Sequence, residues 1–297
     1  MTTKISTIAV VGSGNMGRGI AEVAAGAGIK ATLLKVTPGD LAKPRDQIAK
    51  GLDRRVQKGK LTQEQRDATL ANLTISGDFA SVAGAEVVIE SVIEDTDTKR
   101  DVFKKLEAAM HPEAVLGSNT SSLRLDALAQ GLSRPERFLG VHFFGPVSAM
   151  ELVELALTDT TAAFATDRAD ALCRQMGKTP VRVQATSGYV VNRLLVPYLL
   201  HGIATLEAGT ADAAGIDTAM KLGCGHPMGP LALCDLIGLD IVLAMAETMG
   251  RELKDARYDV PATLRKLCDA GQLGRKSGIG IFDYSGEGPV LNPALQR

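Results

Sequence analysis

At ~150 residues per domain, a chain of 297 residues suggests two domains, and its 45% hydrophobic content suffices for two ordinary cores, which excludes a disordered chain or a disulfide-stapled miniprotein. With 33 Lys and Arg against 34 Asp and Glu the net charge is −1, so the overall balance draws the chain to neither nucleic acid nor an anionic membrane. The four cysteines, Cys173, Cys224, Cys234 and Cys268, match neither the close pairs of a zinc site nor a disulfide framework, and they read as reduced thiols with no metal.

Near the start, one Lys precedes a short apolar run at 8–11 and then Gly12-Ser13-Gly14, too short for a signal peptide and without a cleavage region, so a cytoplasmic, unprocessed chain is expected. The richest apolar stretch, 189–200, contains Asn192, Arg193 and Pro197 and falls short of the ~20 uninterrupted apolar residues of a spanning helix. From residue 4 to about 183, short apolar runs alternate with longer amphipathic ones. This predicts strands at 5–11, 31–36, 73–75, 87–90, 115–118, 138–142, 151–156 and 181–183, with helices at 15–28, 40–58, 95–110, 124–130 and 161–177. Such alternation implies an α/β, doubly wound Rossmann-type sheet covered on both faces. After Thr186 the pattern turns helical, at 190–207, 213–222, 230–249 and 261–270, so residues 1–185 form a dinucleotide-binding domain and 186–297 an all-helical one. The basic run from Lys50 to Arg66 reads as a solvated helix face.

Gly12-Ser13-Gly14-Asn15-Met16-Gly17 directly follows the first strand and opens a helix, the context in which G-x-G-x-x-G binds a dinucleotide. Gly12 permits the tight turn, Gly14 lets a pyrophosphate approach, and Gly17 lets the helix pack on the strand. Where this template expects an acid at the end of the second strand stands Lys35. A cation there can pair with the 2′-phosphate of NADP; the alternative is a surface lysine, with NAD held by backbone contacts and Thr37.

Nicotinamide chemistry on an alcohol needs a base for the hydroxyl proton. Of four histidines, His111 and His226 precede prolines and look structural, and His201 lies inside a helix. His142 closes a strand, at the sheet edge where such folds bind ligands. Glu154, twelve residues on in an apolar run, can return to the imidazole if the next strand folds back; a surface-facing glutamate is the alternative.

Together the glycine loop, Ser118-Asn119-Thr120-Ser121-Ser122, His142-Phe143-Phe144-Gly145-Pro146, Val190-Val191-Asn192-Arg193, Gly225-His226-Pro227-Met228-Gly229-Pro230 and Leu273-Gly274-Arg275-Lys276-Ser277-Gly278 resemble the short-chain L-3-hydroxyacyl-CoA dehydrogenases, nearest to the bacterial 3-hydroxybutyryl-CoA branch. The resemblance implies His142 as general base, Glu154 as its partner, and Ser121 and Asn192 as holders of the substrate oxygens. It places Glu94, Lys99, Asn119, Ser121, Gly145 and Lys276 with Gly12, Gly14, Asn15, Met16, Gly17 and Lys35 around the nucleotide, and the region from Arg55 through Lys58 and Lys60 near the CoA phosphates. It further implies an acyl-CoA substrate and a homodimer through the helical domain, whose apolar stretches 231–233, 236–237 and 241–245 point the same way; a carrier-protein-bound acyl group is the alternative that the departures from the family open. Two departures stand out: Gly145 replaces the family's Asn, and Lys35 its usual Asp. Another hydroxy-acid dehydrogenase of the superfamily and a non-catalytic nucleotide-binding module are the competing readings.

Overall fold

A computed structural model describes residues 4–295. The chain divides into two compact units, with the division between Tyr189 and Val190.

The first unit is built in the order β1 (Thr7–Val11), α1 (Asn15–Gly26), β2 (Lys30–Leu34), α2 (Ala42–Gln57), α3 (Gln63–Ala71), β3 (Leu73–Ser76), β4 (Val87–Glu90), α4 (Thr96–Ala109), β5 (Val115–Ser118), α5 (Leu125–Ala129), β6 (Phe138–Phe143), β7 (Leu152–Leu157), α6 (Ala163–Gln175) and β8 (Thr179–Gln184). One eight-stranded sheet runs β3-β2-β1-β4-β5-β6-β7-β8. Strands β1 to β6 are parallel, β7 is antiparallel to β6, and β8 is parallel to β7. The reversal follows from chain length: the connection from β6 to β7 holds no helix, and a parallel return needs a crossover of about a dozen residues or more. In β1, Ile8 and Val10 enter a core with α1, α2 and α6, while Ala9 and Val11 enter a second core with α4 and α5. A strand buried on both faces therefore reads as a continuous apolar run. The Rossmann-type sheet predicted from the alternation is the fold observed.

One first-unit helix escapes the apolar periodicity. Residues 59–72 carry no predicted element, yet α3 forms there behind a capping box in which the Thr62 side chain accepts from the Gln65 amide and the Gln65 side chain accepts from the Thr62 amide. Only Thr69 of this helix is buried, so its apolar pattern is faint while its cap is plain in the sequence.

The second unit holds α7 (Val191–Glu207), α8 (Ala213–Cys224), α9 (Pro230–Ile237), α10 (Leu239–Leu253) and α11 (Ala262–Asp269), followed by the paired two-residue strands β9 (Phe282–Asp283) and β10 (Val290–Leu291). The single helix predicted at 230–249 is two helices. Gly238 separates them with φ +108°, a conformation that breaks the helical ladder and that side-chain-bearing residues rarely adopt. The apolar stretches expected to make an interface mostly fill the unit's own core instead. Leu231, Cys234, Leu239 and Val242 are fully buried there, and Leu233, Ile237, Leu243 and Met245 pack against them, which leaves Leu236 and Ile241 about half exposed.

Candidate active site

Parallel register brings the carboxyl ends of the central strands level: Val11 stands beside Leu34 and Glu90, and Glu90 beside Ser118. At this edge the glycine loop turns from β1 into α1. Gly12 has φ +111°, and a Cβ there would fall 2.3 Å from the Ser91 carbonyl oxygen; a Cβ on Gly17 would fall 1.8 Å from that of Gly12. Gly14 faces open space, with nothing within 4 Å of its missing side chain. The amino end of α1 has no side-chain cap and no acidic residue in its first turn, so its N–H groups are left to an anion. Arg18 braces the loop by donating to the Ser13 carbonyl (2.7 Å) and to the Asn15 side-chain oxygen (2.6 Å). A turn that only glycine can make, an open cradle and unpartnered amides together fit a dinucleotide pyrophosphate.

Lys35 comes directly after β2 and folds back on its own loop. Its ammonium donates to the carbonyls of Thr37 and Pro38 (2.6 Å to the latter) and lies 3.3 Å from the Thr37 hydroxyl.

Antiparallel pairing of β6 with β7 sets His142 directly opposite Glu154. The His142 Nδ1 lies 2.9 Å from Glu154 Oε2, and the two residues are 6% and 1% exposed. Phe144 and Tyr189 pack on the imidazole with ring centroids 4.5 and 5.5 Å away. Tyr189, held at φ +46°, donates its hydroxyl to the Thr120 carbonyl at 3.2 Å. Burial first, then the charges of Glu94 and Glu154, push its phenol far above the ordinary range, so it stays a donor. Asn119 spends its side-chain oxygen on the Phe143 amide (2.8 Å), fixing the end of β6. Any contact of Asn119 with a nucleotide falls to its remaining atoms.

Glu94 organises the turn after β5. One of its oxygens accepts from the Thr120 hydroxyl (2.6 Å), from the Ser121 and Ser122 amides (3.0 and 3.1 Å) and from the Ser122 hydroxyl (3.1 Å); Lys99 approaches the other at 3.4 Å. Burial alone would raise this carboxyl, but the Lys99 charge, the Thr120 hydroxyl and the two amides outweigh it and hold Glu94 below the usual carboxylate range. Lys99 itself is 1% exposed and forms a 2.7 Å ion pair with the fully buried Glu90, whose second oxygen takes the Ser118 hydroxyl at 2.6 Å. From that position Lys99 reaches a ligand through Glu94 rather than directly. Sequence reasoning passed over Glu90, although a carboxylate ending the apolar run Val87-Val88-Ile89 was a visible signal. It also gave no role to Thr120, noted only within its motif, or to Tyr189, whose contacts become visible only in the fold.

The other sequence-predicted residues lie apart from this cluster or in the second unit. Lys58 and Lys60 are exposed at the end of α2. Arg55 is engaged by Glu22 (3.0 Å) and Arg66 by Asp53 and Asp67, so two cations of the local basic run are already neutralised. Gly145 adjoins the glycine loop: a Cβ there would lie 3.4 Å from the sulfur of Met16. In the second unit Asn192 is 9% exposed in the first turn of α7, and Lys276 pairs with Asp240. His226 meets the Tyr198 hydroxyl at 3.0 Å and His111 accepts from the Glu113 amide, so both have local partners; His201 is exposed.

The glycine-rich motifs of the second unit wrap buried acids. Asp217 accepts from the amides of Leu231 and Ala232, capping α9, and Asp235 accepts from the amides of Ile281 and Phe282 and from the Tyr284 hydroxyl. A Cβ on Gly229 would strike Asp217 at 2.3 Å, and one on Gly280 would strike Asp235 at 2.1 Å.

Residues 7–186 match the NAD-binding domain of the 3-hydroxyacyl-CoA dehydrogenase family, and residues 188–284 match its C-terminal domain. The chain is 42% identical to a 3-hydroxybutyryl-CoA dehydrogenase of Mycobacterium tuberculosis, over 96% of this chain and all of that one. It is 38% identical to a 3-hydroxybutyryl-CoA dehydrogenase of Clostridioides difficile, over 94% and 99% of the two chains. Its fold is similar to the crystal structure of an (S)-3-hydroxybutyryl-CoA dehydrogenase from Ralstonia eutropha, with TM-score 0.91 at 38% identity, covering 95% of this chain and all of that one.

Proposed function

Because the chain belongs to the 3-hydroxyacyl-CoA dehydrogenase family, we propose that it interconverts a (3S)-3-hydroxyacyl-CoA and its 3-oxoacyl-CoA with a nicotinamide cofactor, the four-carbon 3-hydroxybutyryl group being its substrate. The observation that carries this reading is the buried His142–Glu154 pair at the carboxyl edge of the sheet, joined through Gly145 and Met16 to the glycine loop.

Glu154 accepts the proton on Nδ1 of His142, which fixes the tautomer and leaves Nε2 to take the substrate's hydroxyl proton. When bound, the nicotinamide accepts the hydride that leaves the same carbon, or supplies it in the reverse direction. As imidazolium, His142 returns its proton to the developing alkoxide, and the Glu154 carboxylate stabilises the cation meanwhile. The Ser121 hydroxyl can donate to the substrate's oxygens, whether these are hydroxyl or carbonyl, and the Asn192 amide of the second unit has the chemistry to do the same. Around the nucleotide we assign Gly12, Gly14, Asn15, Met16 and Gly17 to the pyrophosphate side, Glu94 with Ser121 and Gly145 to the nicotinamide side, and Lys276 to a supporting contact. Lys58 and Lys60, both exposed, are assigned to the CoA phosphates.

No carboxylate ends β2, which removes both the acceptor for a ribose 2′-hydroxyl and the repulsion that would reject a 2′-phosphate. We assign the enzyme use of both cofactors, with Lys35 giving up its loop carbonyls to favour NADPH. Lys35→Asp should move the ratio of kcat/KM toward NADH by about tenfold or more. The exposed Leu194, Leu222, Leu236 and Ile241 of the second unit support a homodimer through that unit, which light scattering at micromolar concentration tests. Four unpaired thiols suit a reducing, cytoplasmic setting.

The test is oxidation of NADH and NADPH by acetoacetyl-CoA. Turnover with either supports the reading. Nucleotide binding without turnover would favour a carrier-bound or larger acyl group, which the missing side chain at Gly145 leaves room for; binding unaffected by His142→Ala, again without turnover on any thioester, would favour a non-catalytic module.

A further inference from the structure

Lys178 stands one residue before β8 and is 8% exposed, with its ammonium inside the first unit. It donates to the carbonyls of Val147 (2.5 Å) and Met150 (2.8 Å), both in the connection from β6 to β7. The next residue adds a third tie, from the Thr179 amide to the Glu151 carbonyl at 2.8 Å. The clamped connection separates His142 from Glu154. It also packs on α1: Val147 is 4% exposed and occupies the space a side chain on Gly19 would need, and Gly145 lies against Met16. A lysine costs much to bury unless its donors are taken up, and here two backbone carbonyls of the one connection take them.

Resting on the dehydrogenase reading above, we infer that Lys178 is a positioning residue. Its ammonium holds the β6–β7 connection so that His142, Glu154 and Gly145 stand at fixed places against the glycine-loop helix. Its partners are backbone carbonyls, so it takes no part in proton transfer; it sets the distance between the proton-transfer pair and the cofactor side of the site. Misplacement of reacting groups by about 1 Å costs up to ~100-fold in rate, so the effect should appear in the chemical step.

Lys178→Met keeps the stem's length and removes every donor; Lys178→Gln keeps hydrogen-bonding capacity but is too short to span both carbonyls. Both would be assayed with acetoacetyl-CoA and reduced nicotinamide well below their melting temperatures, using cofactor with and without deuterium at the transferred position. For Lys178→Met the expected result is a fall in kcat of about tenfold or more, KM for the nucleotide within about threefold of wild type, and a larger isotope effect on kcat. Lys178→Gln should fall between, and it decides on the same criteria if the Met variant does not fold. A lower melting temperature with kcat within about twofold and an unchanged isotope effect would overturn the inference and leave Lys178 a stability residue. A wild-type protein without turnover on any 3-oxoacyl thioester would overturn the dehydrogenase reading and the inference with it, an outcome distinct from an active wild type with unaffected variants.

Discussion

In the first unit, Glu154 is buried against His142 and Glu90 against Lys99, whereas in the second unit Asp217 and Asp235 are buried with comparable completeness against backbone amides. A carboxylate beside an imidazole can support proton movement by steadying the ring when it takes a proton, whereas the Glu90–Lys99 ion pair is a fixed brace. A carboxylate held chiefly by backbone amides, with the Tyr284 hydroxyl added at Asp235, is tied to groups that take no proton from a substrate, and its work is to fix the path of the chain. Burial of an acid therefore does not mark a site by itself; the chemistry of its partner does. The glycines follow the same division, since Gly14 leaves space open for a ligand while Gly229 and Gly280 yield theirs to an aspartate.

The strongest way to break this contrast is to remove one acid of each kind. His142→Gln sets the scale: kcat should fall by about 1000-fold while nucleotide binding, followed by fluorescence of the reduced cofactor, stays within about threefold. Glu154→Gln should lower kcat by about 10- to 100-fold, more than it changes KM, because the imidazole keeps a hydrogen-bond acceptor but loses the charge that stabilises its cation. Asp235→Asn should do the opposite. Its amide group can accept from one of the Ile281 and Phe282 amides but would present N–H to the other, costing about 1–3 kcal/mol of stability. In thermal unfolding that is a drop of several degrees, at ~2–4 °C per kcal/mol, with kcat of the folded enzyme unchanged. If Asp235→Asn slows turnover as much as Glu154→Gln, the division between chemical and structural acids fails.

Much of this arrangement was open to reading, and the unread parts share a cause. Strand β1, with a glycine loop behind it, announces itself by a buried run and a fixed spacing, both local in sequence. The meeting of His142 and Glu154 could be foreseen as one option, because a short return between two strands leaves few registers. Glu90, Thr120, Lys178 and Tyr189 are different: their partners lie 9, 26, 31 and 69 residues away, at distances no local pattern encodes. In the second unit the run 230–249 hid its break at Gly238, since one glycine in an apolar helical pattern is usually tolerated. The apolar face taken for an interface was largely core for a similar reason: periodicity shows which side is apolar but not what covers it.

Acid titration tests the two units in a second way, because Glu94 of the first and the two aspartates of the second shift in opposite directions. Glu94 is held below its ordinary 4.5, the Lys99 charge and the Thr120, Ser121 and Ser122 hydrogen bonds outweighing its burial. The stability it contributes is present above 4.5 and is lost as pH falls through its folded value. Asp217 and Asp235 are raised above 3.8, chiefly by burial. Their contribution is full below 3.8 and is lost as pH rises through their folded values. On acidification from neutrality, protection factors of the Ser121 and Ser122 amides should decline below the ordinary carboxylate range, while those of Leu231, Ala232, Ile281 and Phe282 should first hold or rise. A parallel decline in both sets would mean that the Lys99 charge does not set Glu94 apart from the burial-dominated aspartates.

The smallest effect is expected from Gly145→Asn, which probes where the chemistry of the first unit gives way to shape. Gly145 is not in the left-handed region, so backbone strain does not oppose a side chain, and the new Cβ would sit 3.4 Å from the flexible Met16 sulfur, at the near limit of ordinary contact. The amide would add a polar group over Met16, at the start of the connection that follows His142. With acetoacetyl-CoA, kcat/KM should therefore change by no more than about fivefold, and upward if the four-carbon substrate is the right one. A loss of about 100-fold or more, with nucleotide binding intact, would mean that the space over Met16 is occupied by substrate during turnover. Gly145 would then belong with Gly14, as a place kept open for a ligand, and the natural acyl group would be one larger than four carbons.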